Sequence, residues 1–358
     1  MNPDTLHRLI VCIALRNSPR TARQLLDRYP TAEEAIARHP EIFADKIHEA
    51  RKRAQLELDF ILRHQIATYY YQDDNYPFRL RACVDAPLML YAKGQVEVNP
   101  QYAVSVVGTR SATERGKDWC RKLVLDLAAQ LPNLPIISGL AYGIDIVAHK
   151  AAIEAGIPTL IIPAHGLDRI YPANHRHVAV QALQKGGILT EYPSATEPER
   201  HNFVARNRIV AGMADALVVV ESKARGGSLI TAEMAVDYGR DVFALPGRTN
   251  DECSAGCNQM IKHQKAQLIE NANDIIHSMQ WTSTPSPIQT TLVEVICPLS
   301  ETQQLLLQLL REAENGMHIN QLVMETQLSY NIVSAELVMM ELHDIVKSMP
   351  GGMWRAKN

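Results

Sequence analysis

Three stretches of this chain gather groups suited to holding an anion. The first is Arg200-His201-Asn202-Phe203-Val204-Ala205-Arg206-Asn207-Arg208, with three arginines, two asparagines and a phenylalanine ring within nine residues. Arginine offers phosphate a fixed fork of donors, and an aromatic face accepts a stacked base whatever its identity. The second is Gly226-Gly227-Ser228, between the apolar run 216–220 and the helix-forming Ala232-Glu233-Met234-Ala235. It reads as a strand-to-helix turn. Glycine lets a ligand approach the backbone there, and the helix start is partly positive. The third comprises two further glycine turns, Gly108-Thr109-Arg110 and Ser138-Gly139 with Gly143. Together they suit phosphate binding.

Several catalytic chemistries lack their residues. Neither Gly-x-Gly-x-x-Gly after the first strand nor Gly-x-x-x-x-Gly-Lys-Ser/Thr occurs, and there is no Gly-x-Ser-x-Gly elbow. His149, His165, His175 and His177 have no carboxylate at a defined spacing and read as structural, while Asp145 and Asp168 follow glycine turns and read as backbone caps. Cys12, Cys83, Cys120, Cys253, Cys257 and Cys297 form no disulfide-like framework, and Cys253-x-x-x-Cys257 lacks a second pair to complete a zinc site. We therefore expect no catalytic residue, cofactor or metal. The net charge of −3 over 358 residues gives no global pull toward polyanions, so any such site must come from local clustering. No signal peptide or membrane-spanning run is evident, which places the expectation in the cytoplasm, without membrane insertion.

The elements that must position these groups follow from periodicity. Residues 1–66 read as a helical domain of helix-hairpin-helix or SAM-like type, broken at Ser18-Pro19, Pro30 and Pro40, with a capping box at Thr31-Ala32-Glu33-Glu34. Residues 67–280 alternate strand, turn and helix. After entry strands near 69–71 and 88–92, runs at 104–107, 135–137, 159–163, 187–191, 217–221 and 241–247 specify a doubly wound, mostly parallel α/β sheet of Rossmann type. The glycine turns then share its C-terminal edge. Residues 281–298 read as a Thr-, Ser- and Pro-rich linker. Residues 299–358 show three helices, at 300–311, 318–326 and 329–343, and a two-stranded wing at 345–355, a winged-helix layout. Its third helix carries Glu336 and Glu341, with Asp344 just beyond, and no Arg or Lys, which favours a protein-contacting or regulatory role over DNA reading.

Laid out in this order, the residues resemble the DprA/Smf family of DNA-processing proteins. The shared blocks are Gly108-Thr109-Arg110, Ser138-Gly139-Leu140-Ala141-Tyr142-Gly143-Ile144-Asp145 with Ala148-His149, and Gly166-Leu167-Asp168 before Tyr171-Pro172. They continue with Phe203-x-x-Arg206-Asn207-Arg208-Ile209, Gly227-Ser228-Leu229-x-Thr231-Ala232 and Gly239-Arg240-x-Val242-Phe243-Ala244-Leu245-Pro246-Gly247. Thr109 stands for the usual serine and Arg200 for a common lysine, keeping hydroxyl and charge. The stretch 257–266 departs, lacking an expected glycine.

The resemblance implies a dimeric protein that binds single-stranded DNA and loads a RecA-type recombinase during natural transformation, without catalytic turnover. It implies a site of Gly108, Thr109, Arg110, Ser138, Gly139, Gly143, Arg200, Phe203, Arg206, Asn207, Arg208, Gly226, Gly227 and Ser228. Arg110 and Arg200 would hold phosphates, Phe203 would meet a base, and Arg206, Asn207 and Arg208 would shape the pocket. For Arg206 and Arg208 an internal pairing with Glu191, Asp215 or Glu221 is an equal alternative. A different class, the Rossmann-like phosphoribohydrolases called lysine-decarboxylase-like, shares the Gly226-Gly227 to Glu233 spacing, but Leu229 and Ile230 replace its phosphate-wrapping Gly and Thr.

Overall fold

The structure is a computed structural model describing residues 4–15, 19–282, 300–313, 316–342, 345–349 and 352–356. The expected linker from residue 283 onward, Cys297, and the helix and wing ends at His343, Asp344, Pro350 and Gly351 lie outside them. The chain divides into two compact units, Met1–Ser283 and Thr284–Asn358.

The first unit opens with five helices: α1 (Thr5–Ala14), α2 (Pro19–Leu26), α3 (Ala32–Arg38), α4 (Pro40–Phe43) and α5 (Ile47–His64). Half of the expected capping box forms, since Thr31 Oγ1 accepts from the Glu34 amide at 3.2 Å. Glu34 itself faces Arg38 at 3.9 Å, one helical turn on. Leu9, Ile10, Leu26, Phe43 and Ile61 are fully buried and share a core with Tyr70, Met89 and Tyr91 of the sheet. Each such side chain contributes roughly 1.5–3 kcal/mol by leaving water. A polar latch adds to this packing. Buried Glu57 of α5 accepts from the Ser194 amide at 2.9 Å and from its hydroxyl at 2.6 Å, and Arg53 donates to the Ser194 carbonyl.

The sheet follows as β1 (Ala67–Tyr70), α6 (Phe78–Arg81), β2 (Met89–Gly94), β3 (Val104–Val107), α7 (Glu114–Gln130), β4 (Ile136–Ser138), α8 (Ile144–Ala155), β5 (Thr159–Ile161), α9 (Arg176–Ala182), β6 (Gly187–Thr190), α10 (Arg200–Gly212), β7 (Ala216–Val219), α11 (Gly227–Asp237), β8 (Asp241–Ala244), α12 (Ala255–Lys262), β9 (Gln267–Leu268) and α13 (Ala272–Ser278). The nine strands lie in the order β1-β2-β6-β5-β4-β3-β7-β8-β9. From β6 to β9 the pairing is parallel, while β1 and β2 close one side antiparallel. The fold is thus the expected mostly parallel α/β sheet. The parallel strands β3, β4, β5 and β7 are apolar-rich and buried throughout because helices cover both faces. On one face Leu123, Val124, Leu127, Ala148 and Ile275 pack on Val104, Val106 and Phe243. On the other, Ile209, Val210, Ala232, Ala235 and Met260 pack on Val107, Leu217 and Val219. Strand order reverses between β3 and β7, so the crevice of a doubly wound sheet opens beyond their C-terminal ends.

The second unit contains α14 (Glu301–Glu312), β10 (Met317–His318), α15 (Ile319–Thr326), α16 (Tyr330–Leu342), β11 (Val346–Met349) and β12 (Met353–Ala356). Ser300 and Gln303 form a full capping box on α14. The strands pair in the order β10-β12-β11. The two-residue β10 is too short for periodicity to reveal. Leu306, Leu310, Leu322, Val333, Leu337 and Met340 fill the core. Ile332, Val338 and Met339 of α16 remain exposed, and the helix carries no basic side chain.

Candidate nucleic-acid interface

At the strand-order reversal the ends of β3, β4 and β7 surround a cleft of about 350 Å³. Gly108, Thr109, Arg110, Gly139, Phe203, Arg206, Asn207, Gly226, Gly227 and Ser228 line it, joined by Asp145, Lys223, Arg225, Ile230 and Thr231. Ser138, Gly143, Arg200 and Arg208 of the expected set are not among the lining residues.

The floor of the cleft is locked by internal bonds. Arg206 is 4% exposed and donates from Nη1 to the carbonyls of Gly139, at 2.9 Å, and Ile162. It thereby ties the end of β4 to the end of β5. Asp145, in the first turn of α8, accepts from the amides of Gly139 and Ala141 at 3.2 and 3.3 Å. Burial raises its carboxyl above the ordinary range, against the nearby Arg206 charge and those amides. The Ser138 hydroxyl is spent on the Val106 carbonyl at 2.7 Å. His149 lies behind, bonded to Thr159 Oγ1 at 2.7 Å, and burial lowers its pKa to about 3. His175 Nδ1 donates to the Leu140 carbonyl at 2.9 Å.

Most of the site's glycines answer to this packing. A Cβ on Gly139 would sit 2.6 Å from the Arg206 guanidinium, and one on Gly108 2.5 Å from Ile144. At Gly143, whose φ is +79°, it would strike the Thr109 carbonyl at 2.1 Å. At Gly226 it would strike Ser222 Oγ at 2.3 Å. Gly227 alone of these five faces open space, with nothing within 4 Å of an added Cβ. The expectation that glycines clear a path for phosphate therefore narrows to this one position. Gly227 begins α11, whose first turn has no side-chain cap and so leaves backbone N–H groups for an anion. Beside it the Ser228 hydroxyl donates to Ser222 Oγ at 2.9 Å.

The mouth is different. Phe203 is partly exposed, with the Arg110 guanidinium 5.5 Å over its ring and the Tyr171 ring centroid 5.8 Å away. Tyr171 is 48% exposed and Tyr142 47%. Arg225 is exposed, and among the described residues no acid pairs with it; Lys223 is held by Glu252 at 2.8 Å. Arg200, the first residue of α10, is exposed outside the cleft's lining.

Arg208 is committed elsewhere. Its Nη2 donates to Glu191 at 2.5 Å, with Asp85 at 3.9 Å, taking the internal alternative for this residue. Asp215 pairs instead with Arg79 at 2.7 and 2.8 Å, and Glu221 binds the Thr113 hydroxyl at 2.6 Å and amide at 2.9 Å. Helical spacing separates these fates. Asn202, Arg206, Ile209 and Val210 form the buried face of α10, while Phe203 and Asn207, four apart, turn to the cleft. Lys223, Arg225 and Tyr171 were not in the expected site, although Tyr171 stands in one of the shared blocks. The signal for the first two was a pair of cations just ahead of Gly226; for Tyr171 it was an aromatic in a loop at the same sheet edge. Glu233, the acid of the alternative enzyme reading, does not line the cleft and meets Lys265 at 3.1 Å.

These features define a class: a doubly wound α/β protein with a cationic, aromatic-rimmed crevice at its switch point, followed by a winged-helix module. A family model described as DNA recombination-mediator protein A matches residues 67–280, and the DprA winged helix domain matches 293–352. DprA of Streptococcus pneumoniae is 34% identical over 244 residues, spanning 68% of this chain and 84% of that protein. Protein Smf of Escherichia coli is 38% identical over 207 residues, 58% of this chain and 54% of that one. The crystal structure of the S. pneumoniae protein aligns with a TM-score of 0.61 at 31% identity, covering 76% of this chain and 94% of that one. DNA processing protein A from Helicobacter pylori, studied for its single-stranded DNA binding mode, aligns with a TM-score of 0.54 at 30% identity, covering 60% and 96%. The chain belongs to the DprA/Smf family.

Proposed function

We propose that this chain binds single-stranded DNA in the β3–β7 crevice and passes it, chemically unchanged, to a RecA-type recombinase during natural transformation. It acts in the cytoplasm as a homodimer. Residues 67–280 carry the strand, the winged helix beyond the 281–298 linker contacts protein, and the helices of residues 1–66 brace the sheet. One observation carries the reading: Arg110 lies over Phe203 at the open mouth, with Tyr171 beside it. Cations that follow a backbone, next to rings that accept any base, suit an unpaired strand better than a duplex, whose bases are already stacked. The single-strand binding of the H. pylori relative points the same way. No turnover is needed, since Asp145 and Glu221 beside the cleft already serve backbone amides.

The test is a gel-shift titration with single- and double-stranded oligonucleotides of equal length over a salt series. Single strands bind more tightly, with a log K against log salt slope of about −2 if Arg110, Arg200 and Arg225 each meet one phosphate, at about 0.7 per contact. Arg110→Ala and Arg200→Ala each weaken retention about tenfold and leave thermal melting unchanged. Equal retention of single and double strands, or full retention in both variants, would remove the proposal.

A further inference from the structure

Arginines in residues 67–282 fall into two groups. Arg79, Arg81, Arg121, Arg169, Arg206, Arg208 and Arg240 all donate to carboxylates or carbonyls. Arg110, Arg115, Arg176, Arg200, Arg225 and Arg248 are exposed and, among the described residues, have no acid partner. Every member of the second group lies in a loop or first helical turn that follows a parallel strand, so all belong to one edge of the sheet. A single exposed arginine without an acid partner is ordinary, since water solvates it well. Gathered on one edge, such residues make a local positive field.

Two of them, Arg115 and Arg248, line a second, shallow cleft of about 590 Å³ with Pro246 and Gly247. Two of the acids nearest in sequence are occupied elsewhere. Glu114 pairs with Lys117 at 2.6 Å and Glu252 with Lys223 at 2.8 Å, and Asp251 forms no ion pair with Arg248. The loop is held firmly. The Asn258 side chain clamps Gly247 on both sides, accepting from its amide at 3.1 Å and donating to its carbonyl at 3.0 Å. The loop is also joined to the main cleft. Gly256 N donates to the Ser222 carbonyl at 2.8 Å, and Cys253 Sγ approaches the Ser111 carbonyl at 4.0 Å. β8 is the parallel neighbour of β7. The turn beginning at Thr109 is therefore a wall shared by both clefts.

We propose that this second cleft continues the single-strand path: backbone phosphates leaving the β3–β7 crevice past Arg225 run between Arg115 and Arg248. The inference rests on the single-strand reading above. None of its four lining residues is aromatic, so it follows the backbone and leaves bases free for a pairing partner.

Oligo-dT of about 6 and about 20 nucleotides distinguishes the two, given site sizes of roughly 4–16 nucleotides per single-strand-binding module. The full chain binds the long probe with the steeper salt slope. Arg115→Ala/Arg248→Ala lowers long-probe affinity about tenfold and flattens its slope by about 1.4, two contacts at about 0.7 each. It leaves the short probe and the melting temperature unchanged. Arg115→Lys/Arg248→Lys restores the slope. Wild-type behaviour of the alanine pair on the long probe overturns the extension while the crevice reading stands. So does equal loss on both probes, which puts these arginines in the crevice itself. Failure of the unmodified chain to hold either probe overturns both readings.

Discussion

Two layers of the same sheet edge use similar side chains in opposite ways. In the floor, Arg206, Asp145, Ser138 and His149 are buried and bonded to backbone or to one another's neighbours. In the mouth of the same cleft, Arg110, Phe203 and Arg225 stay accessible, and among the described residues no acid pairs with the two arginines. The floor shows what a fold does with polar groups it must bury, since leaving one unbonded costs about 1–3 kcal/mol. The mouth holds groups the fold itself does not use. Residue type does not distinguish the layers; the position of each side chain on its element does.

The sharpest way to break this contrast is to substitute the floor. Arg206→Ala removes the tie between β4 and β5 and leaves two buried carbonyls unmatched, so stability falls by roughly 3 kcal/mol. Urea unfolding measures it. A variant that unfolds like the wild type yet loses DNA would place Arg206 in the mouth.

The floor also predicts a pH dependence. Folding holds His149 neutral down to about pH 3, whereas the unfolded chain takes up that proton near 6.5. The contribution is therefore complete above 6.5 and is lost as pH falls toward 3, at up to about 1.4 kcal/mol per pH unit. Comparing urea midpoints at pH 7 and 5 in wild type and His149→Gln isolates it. An identical pH slope in the variant assigns the effect to other groups.

The mouth predicts the reverse pattern. Phe203→Ala costs about 1–3 kcal/mol of single-strand affinity through lost stacking, with unchanged melting. Phe203→Tyr restores it. Fluorescence anisotropy of a labelled oligonucleotide reads both, and an Ala variant with full affinity would leave Tyr171 as the stacking surface.

The smallest effect separates the glycines. Gly227→Ala meets nothing within 4 Å, so the chain folds normally and binds a few-fold less tightly as the methyl intrudes on the α11 amides. Gly143→Ala, with positive φ and a 2.1 Å approach to Thr109, destabilises the fold instead. Similar melting curves for the two variants would erase the distinction.

Much of this was legible in the sequence. Apolar runs such as 216–220 announced buried parallel strands, and their alternation with helices put the glycine turns on one edge. Helical spacing along α10 already separates Phe203 and Asn207 from Arg206, which a motif read as one block obscures. The roles of Gly108, Gly139 and Gly226 were not legible. What excludes a side chain there is Ile144, Arg206 or Ser222, and only the folded chain brings those atoms close. The two-residue strands β9 and β10 escaped for a simpler reason, since alternation needs more residues to show.

The Glu57–Ser194 latch has a mechanical consequence. The segment from Tyr192 to Glu199 feeds straight into α10, so the angle at which that helix presents Phe203 depends on how firmly its approach is moored. A chain shorn of its leading helices would lose the strut behind this approach. Faster amide exchange at Ser194, with the central strands still protected, would register the slack.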